Sequence, residues 1–343
     1  MSVELNELQD SVRQVIDAVG VAAAEDILWP QIVELGWLLV AVPEAAGGLD
    51  TGIQGAAAMH LELGRGLSAA PYLPAMLAID ALTESALQDR DGWLERVTTV
   101  EFVTASLAES KIQLDGDKLS GTATAVQSAD NAKHVLIWSA NNDVVALVAL
   151  DQAGVERIAR QTWDQTRRLF DVRLNNVSLQ SQIVLARGPE AAALIARLLV
   201  QRDFALAADA IGGAEALLKQ TVDYLLTRVQ FKRPLAMFQA LKHRCADLKA
   251  ATAAADALLF DALRKVEGDV GGAQAELKAK GAKQFATSTF MRVAEEALQL
   301  HGGIGMADEH PCHLYLKRAL LSEQLGRGDV YAADIAVGLI AKA

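Results

Sequence analysis

Arg228-Val-Gln-Phe-Lys-Arg-Pro-Leu-Ala-Met-Phe-Gln239 decides how the rest of the chain is read. Upstream of it Phe204, Ala207, Ile211, Ala214, Leu218, Val222 and Leu225 step by threes and fours, which predicts one long helix with a continuous apolar face. Pro234 cannot continue that helix, so Arg228, Gln230 and Phe231 are expected at its exposed C-terminal turn, beside a loop. Gln239 is expected where the next helix begins. Leu241, Cys245 and Leu248 start a second apolar stripe, and Ala286, Phe290, Val293, Ala297 and Leu300 form a third. Long amphipathic helices in succession predict an antiparallel bundle over 184–343.

Moving toward the N-terminus, residues 99–183 have a different texture. Ile112 and Leu114 lead into Asp115-Gly116, a tight-turn signal, and a further apolar run follows. His134 to Ser139 and Val144 to Leu150 flank Asn141-Asn142-Asp143 as a second hairpin. A compact antiparallel, barrel-like β domain is expected here. Residues 1–98 return to helical periodicity, with breaks expected at Pro30, Pro43 to Gly48 and Pro71 to Pro74. The fold class expected is mainly α with a small β domain: helical domain, β domain, four-helix bundle.

The chain has 343 residues, 52% of them hydrophobic, and a mean hydropathy of +0.19. No apolar run approaches the ~18 residues of a membrane span, so this hydrophobicity predicts an Ala-rich core and surface covered by another subunit. A net charge of −11 argues against nucleic acid as the main partner. Cys245 and Cys312 stand far apart, and the acidic N-terminus lacks a signal-peptide pattern, so a cytoplasmic setting is expected.

An Arg fork, amide side chains and an aromatic ring at 228–239 suit a nucleotide, since guanidinium pairs bidentately with a diphosphate. An ordinary helix-loop-helix with a charged end explains the same residues. Gln299-Leu-His-Gly-Gly303 follows the third stripe. Its glycines supply C-cap geometry and also permit close approach of a ligand, but they are not a G-x-G-x-x-G fingerprint. His301, Glu309, His310, Cys312 and His313 match no zinc-site spacing, and no metal is expected.

Taken together, these motifs resemble the acyl-CoA dehydrogenase family. Residues 36–49 and 61–71 resemble its N-terminal helical domain, and 212–248 with 295–319 resemble its C-terminal bundle. The resemblance implies FAD at a subunit interface of a tetramer, with acyl-CoA as substrate and an electron-transfer flavoprotein or similar acceptor. It implies that Arg228, Gln230 and Phe231 meet the ADP side of FAD, with Gln239 against the same cofactor and Gln299, Gly302 and Gly303 allowing backbone approach. Lys232 replaces the usual glycine.

The family's catalytic Glu is not where the resemblance places it. One such position is Arg327, in Arg327-Gly328-Asp329 after Lys317-Arg318-Ala319, and the other is Arg202. Guanidinium stays protonated and cannot serve as the base. Asp203 is adjacent to the second position but rotated by about 100° on a helix. The segments that contact the flavin ring in the family are here Ala105 to Lys111 and Thr124 to Ser128, without the glycine-serine loop or the Trp. The resemblance therefore points to the shorter, degenerate subunit of a heteromeric (α2β2) acyl-CoA dehydrogenase. Such enzymes are linked to CoA thioesters of steroid side chains. The alternatives are a self-sufficient dehydrogenase using Asp203 and a non-enzymatic scaffold.

Overall fold

The computed structural model of the protein describes residues 3–108, 111–326 and 328–340. Five helices come first: α1 (Val3–Val19), α2 (Glu25–Glu34), α3 (Gly52–Arg65), α4 (Tyr72–Thr83) and α5 (Arg90–Thr99). The central helix α4 is apolar nearly all round and correspondingly buried from Tyr72 to Ile79. Of the expected breaks, the one at Pro71 is present as the N-cap of α4, whereas Pro30 makes none. Pro74 sits in the first turn of α4, where its missing N–H would lack an intrahelical partner anyway. Pro30 lies inside α2 and gives up one ladder bond there.

Eight strands follow: β1 (Val103–Ala105), β2 (Gln113–Asp115), β3 (Lys118–Gln127), β4 (His134–Trp138), β5 (Val144–Ala149), β6 (Val155–Ala159), β7 (Leu169–Ser178) and β8 (Ile183–Arg187). They form two four-stranded sheets, ordered β1-β4-β5-β8 and β2-β3-β7-β6. Both expected hairpins are present, with Gly116 and Asn142 at positive φ in their turns. The pairing is antiparallel except for β1 on β4. Sheet structure continues to Arg187, across the 183/184 limit read from the sequence.

The continuous apolar runs of β4 and β5 have a structural cause. Val135, Ile137, Val144, Ala146 and Val148 face the cluster between the sheets, whereas Leu136, Trp138, Val145 and Leu147 face the helices. A sheet buried on both faces loses the apolar–polar alternation of a half-exposed one.

The third region opens with α6 (Gly188–Thr227), whose 40 residues span about 60 Å. Its first half joins the cluster that holds α1–α5 against the sheet, and its second half joins the core of the bundle. A minimal hairpin follows, β9 (Val229–Gln230) with β10 (Arg233–Pro234), then α7 (Gln239–Val266), α8 (Ala273–His301), α9 (Cys312–Gln324) and α10 (Gly328–Ile340). The three predicted stripes face inward, although Leu241 and Cys245 at the start of α7 are only half-buried. Among the described residues no helix is long and apolar enough to cross a membrane.

The three regions meet at one side chain. Arg318, on α9, is fully buried. It donates to Asp164 Oδ2 (2.8 Å) and Thr166 Oγ1 in the β6–β7 connection, and to the carbonyls of Leu67 and Ser68 after α3 (3.3 and 3.0 Å). It also reaches Asp209 on α6 (3.4 Å), which Arg167 grips at 2.8 Å. Burial opposes the Arg318 charge, but Asp164 and Asp209 outweigh it and raise its affinity for the proton. Burial and the neighbouring Arg318 pull Arg167 down to about 10, so both remain charged at neutral pH.

Replacing Arg318 with Met leaves Asp164 and Asp209 short of their buried partner. A loss of about 3–5 kcal/mol is expected, read as a lower urea midpoint. His60, also beside this network, is held down to about 4 chiefly by burial. The unfolded chain takes up its proton below about pH 6.5 and the folded chain only near 4, so stability falls as pH falls through that window. The loss is on the order of 3 kcal/mol, and urea midpoints at pH 7 and 4.5 should converge in His60→Gln.

Candidate functional site

The structure separates the sequence-predicted residues into two sites. The first lies at the end of the bundle where α6 and α8 both terminate. Arg228 is the C-cap of α6: its N–H donates to the Tyr224 carbonyl (2.8 Å) and its carbonyl accepts from Leu235 N–H (2.9 Å), so it joins the last helical turn to the β9–β10 hairpin. Val229, β-branched, and Pro234, with its fixed φ, favour the extended pair that replaces the expected loop. Gln230 faces Arg233 across the hairpin. Phe231 and Lys232 form its tip, both at positive φ (50° and 64°).

Phe231 is 82% exposed, and its ring meets Phe238 edge-on at 6.0 Å. The Arg233 guanidinium lies 4.0 Å over Phe238. Gln239 opens α7, exposed, with its amide 3.3 Å from His243 Nε2.

Two contacts missed in the sequence bring the Gln299-to-Gly303 segment to this hairpin. Tyr224, in the last turn of α6, stacks on His301 with ring centroids 4.6 Å apart, and its hydroxyl donates to the His301 carbonyl (3.3 Å). The only sequence signal for this was that each residue lies close to its own motif. His301 Nδ1–H donates to the Ala297 carbonyl (2.8 Å) and its other face meets His310. Gly302 caps α8 with φ 64°, donating to the carbonyls of Gln299 and Leu298. Gln299, Gly302 and Gly303 are exposed, and a Cβ added at Gly303 would touch nothing within the chain. Its lack of a side chain is therefore not explained by packing inside this protomer. Among the described residues no group of three or more His, Cys, Asp or Glu could hold a metal ion.

The second site surrounds the expected base positions, of which Arg327 lies outside the described residues. Arg202 and Asp203 are both buried, 2% and 3% exposed. Arg202 Nε and Nη2 donate to Asp203 Oδ1 (3.0 and 2.9 Å), and Nη2 also donates to the Tyr331 hydroxyl (2.8 Å). Tyr331 in turn donates to Asp203 Oδ2 (2.5 Å). Both carboxylate oxygens of Asp203 are thus engaged inside a closed triangle. Burial opposes the Arg202 charge, but Asp203 and Tyr331 more than offset it, and burial pushes the Tyr331 phenol up. The triangle is held together by side chains of this chain alone. A cavity of about 330 Å³ adjoins it, lined by Trp138, Leu199 and Lys280 among others.

The segments matched to flavin-ring contact are occupied by one another. Leu107 N–H donates to the Ala125 carbonyl, and Gly326 N–H donates to the Leu107 carbonyl (both 3.1 Å). Ser106 bridges Val126, and its hydroxyl donates to the Thr124 carbonyl (2.6 Å). Leu107, Ala125 and Leu325 belong to one buried apolar cluster. Glu109 and Ser110 lie outside the described residues. The residues present fit the nucleotide end of FAD, where exposed cations, a free ring and an open glycine coincide.

Helical domain, two-sheet domain and bundle, with these motifs at the bundle end, define the acyl-CoA dehydrogenase architecture. The family model described as acyl-CoA dehydrogenase, N-terminal domain, matches residues 2–101, and that of the C-terminal domain matches 192–339. Acyl-CoA dehydrogenase IpdE2 of Mycobacterium tuberculosis is 33% identical over 303 residues, covering 88% of this chain and 82% of that protein. The chain belongs to the acyl-CoA dehydrogenase family. Among solved structures, the ChsE4-ChsE5 complex from Mycobacterium tuberculosis matches with a TM-score of 0.88 and 26% identity, over 99% of this chain and 98% of that one. The Tcur3481-Tcur3483 steroid ACAD G363A variant matches with a TM-score of 0.86 and 27% identity, over the same shares.

Tyr331→Phe removes the hydroxyl that closes the buried triangle. A stability loss of about 1–3 kcal/mol is expected, with faster amide exchange in α10, which Tyr331 ties to α6. Unchanged thermal unfolding and exchange would show that the triangle contributes nothing to the docking of α10.

Proposed function

We propose that this chain is the accessory subunit of a heteromeric, FAD-dependent acyl-CoA dehydrogenase, an α2β2 tetramer that introduces an α,β double bond into a CoA thioester. The observation that carries this is the contrast between its two sites. The nucleotide-binding end is open and supplied with unpaired cations, whereas the ring-binding segments are closed on each other and Arg202 stands at a base position. A chain built this way completes a partner's site more readily than its own.

In that role Arg228 pairs with the diphosphate of FAD, and Phe231 offers its exposed face to the adenine. Gln230, Gln239 and Gln299 supply amide contacts, and the Gly302-Gly303 backbone approaches the cofactor closely. The partner supplies the catalytic carboxylate and the flavin-ring contacts. FAD held there would supply the hydride acceptor for the substrate's β-carbon, with an electron-transfer flavoprotein or similar protein as the onward electron acceptor. Similarity to a steroid-acting enzyme and to a two-component complex supports the heteromeric assignment and a steroid side-chain acyl-CoA as substrate.

Co-purification with the partner subunit should give a yellow complex with two FAD per tetramer. Arg228→Ala should lower its FAD content and its dehydrogenase activity together. A yellow homo-oligomer of this chain alone, with one FAD per protomer and turnover lost in Asp203→Asn, would instead establish a self-sufficient enzyme.

A further inference from the structure

The tip of the β9–β10 hairpin combines two features that stability alone does not favour. A two-residue connection with φ positive at both positions is the type I′ turn, which prefers Asn-Gly because L side chains crowd the backbone there. Here the positions are Phe231 and Lys232, the second with φ 64° and no glycine to relieve it. Local compensation is small: both residues are exposed, and only the Phe231 ring meets a neighbour, Phe238 edge-on. Non-glycine residues held in this region concentrate where the strain serves a ligand.

The charge around the tip points to the ligand. From Arg228 to Ala246 the chain carries five Lys or Arg and no Asp or Glu, within a protein of net charge −11. Arg244 is neutralised by Glu296 (2.6 Å). Among the described residues Arg228, Lys232, Arg233 and Lys242 form no ion pair. Arg233 is instead held over the Phe238 ring, which fixes its position without cancelling its charge. Arg228, Lys232 and Arg233 thus fall within six consecutive residues at this hairpin. Such an arrangement costs self-repulsion until an anion arrives.

We infer that Lys232 is a phosphate-binding residue, retained at a strained turn position because its ammonium adds a second point of attachment, beside Arg228, for the diphosphate of the flavin nucleotide. This rests on the shared-site function proposed above and extends it to a residue at which a glycine would be the better turn former. Lys232 acts as a mobile point charge and Arg228 as a planar fork, so the two are complementary on one diphosphate.

The test is calorimetric titration of the deflavinated complex, this chain with its partner subunit, with FAD at low and high salt. Wild type is compared with Lys232→Gly, Lys232→Arg and Arg228→Ala. Lys232→Gly relieves the turn, so its Tm should be unchanged or higher while FAD binds about tenfold more weakly and with a flatter salt dependence. Lys232→Arg should restore the affinity. Lys232→Gly binding FAD as tightly as wild type overturns the inference. If Arg228→Ala still weakens FAD in that case, the shared site stands and only the role of Lys232 falls. If neither substitution matters, both fall. Unchanged FAD affinity with a raised KM for the acyl-CoA would place the phosphate on the CoA substrate and equally overturn the assignment to FAD.

Discussion

The buried guanidinium of Arg318 is the constraint on which the rest of this structure depends. It is reached from α6, from the connection after α3 and from the β6–β7 connection, so no two of the three regions can shift without breaking bonds to it. A buried charge tolerates few alternative arrangements, because each lost partner leaves a desolvated polar group. Among the described residues Arg167 Nη1 and Asp209 Oδ2 find no hydrogen-bond partner, so the network is also incompletely satisfied. That leaves the cluster specific more than it is strongly stabilising. By fixing α9, Arg318 also sets where the chain emerges at Gly326, whose amide closes on Leu107.

The two candidate sites then differ for one physical reason. Around Arg202 the charges are buried, and each has been given a partner from the same chain. At the end of the bundle the charges are solvated and can remain unpaired, which keeps them available to an external anion. Gly303 and the exposed Phe231 fit the same pattern, since neither is explained by contacts inside the protomer. One site is thus filled by this chain's own contacts, and the other is left open to solvent.

The parts of this protein that were legible in its sequence are those governed by short-range rules. Helical stripes such as Ala286 to Leu300 reported their buried face directly, because a period near 3.6 leaves no other face apolar. Asp115-Gly116 marked its hairpin through the positive φ that Gly116 supplies. The motifs at the end of the bundle were visible too, as runs of a few residues. Less visible was the Phe231-Lys232 turn, where the helix was expected to continue into a loop.

Tertiary structure alone decided what joins residues far apart in the chain. Tyr331 meets Arg202 and Asp203 across nearly 130 positions, and a substitution pattern around Arg202 carries no trace of that partner. The same holds for Tyr224 on His301, for the parallel pairing of β1 with β4, and for the five-way engagement of Arg318. Composition and periodicity record which side of an element is buried, but not against what. Sequence by itself therefore determined the elements and their order. Long-range packing alone determined that Leu107, Ala125 and Gly326 come together, because the bonds between them join residues far apart in the chain.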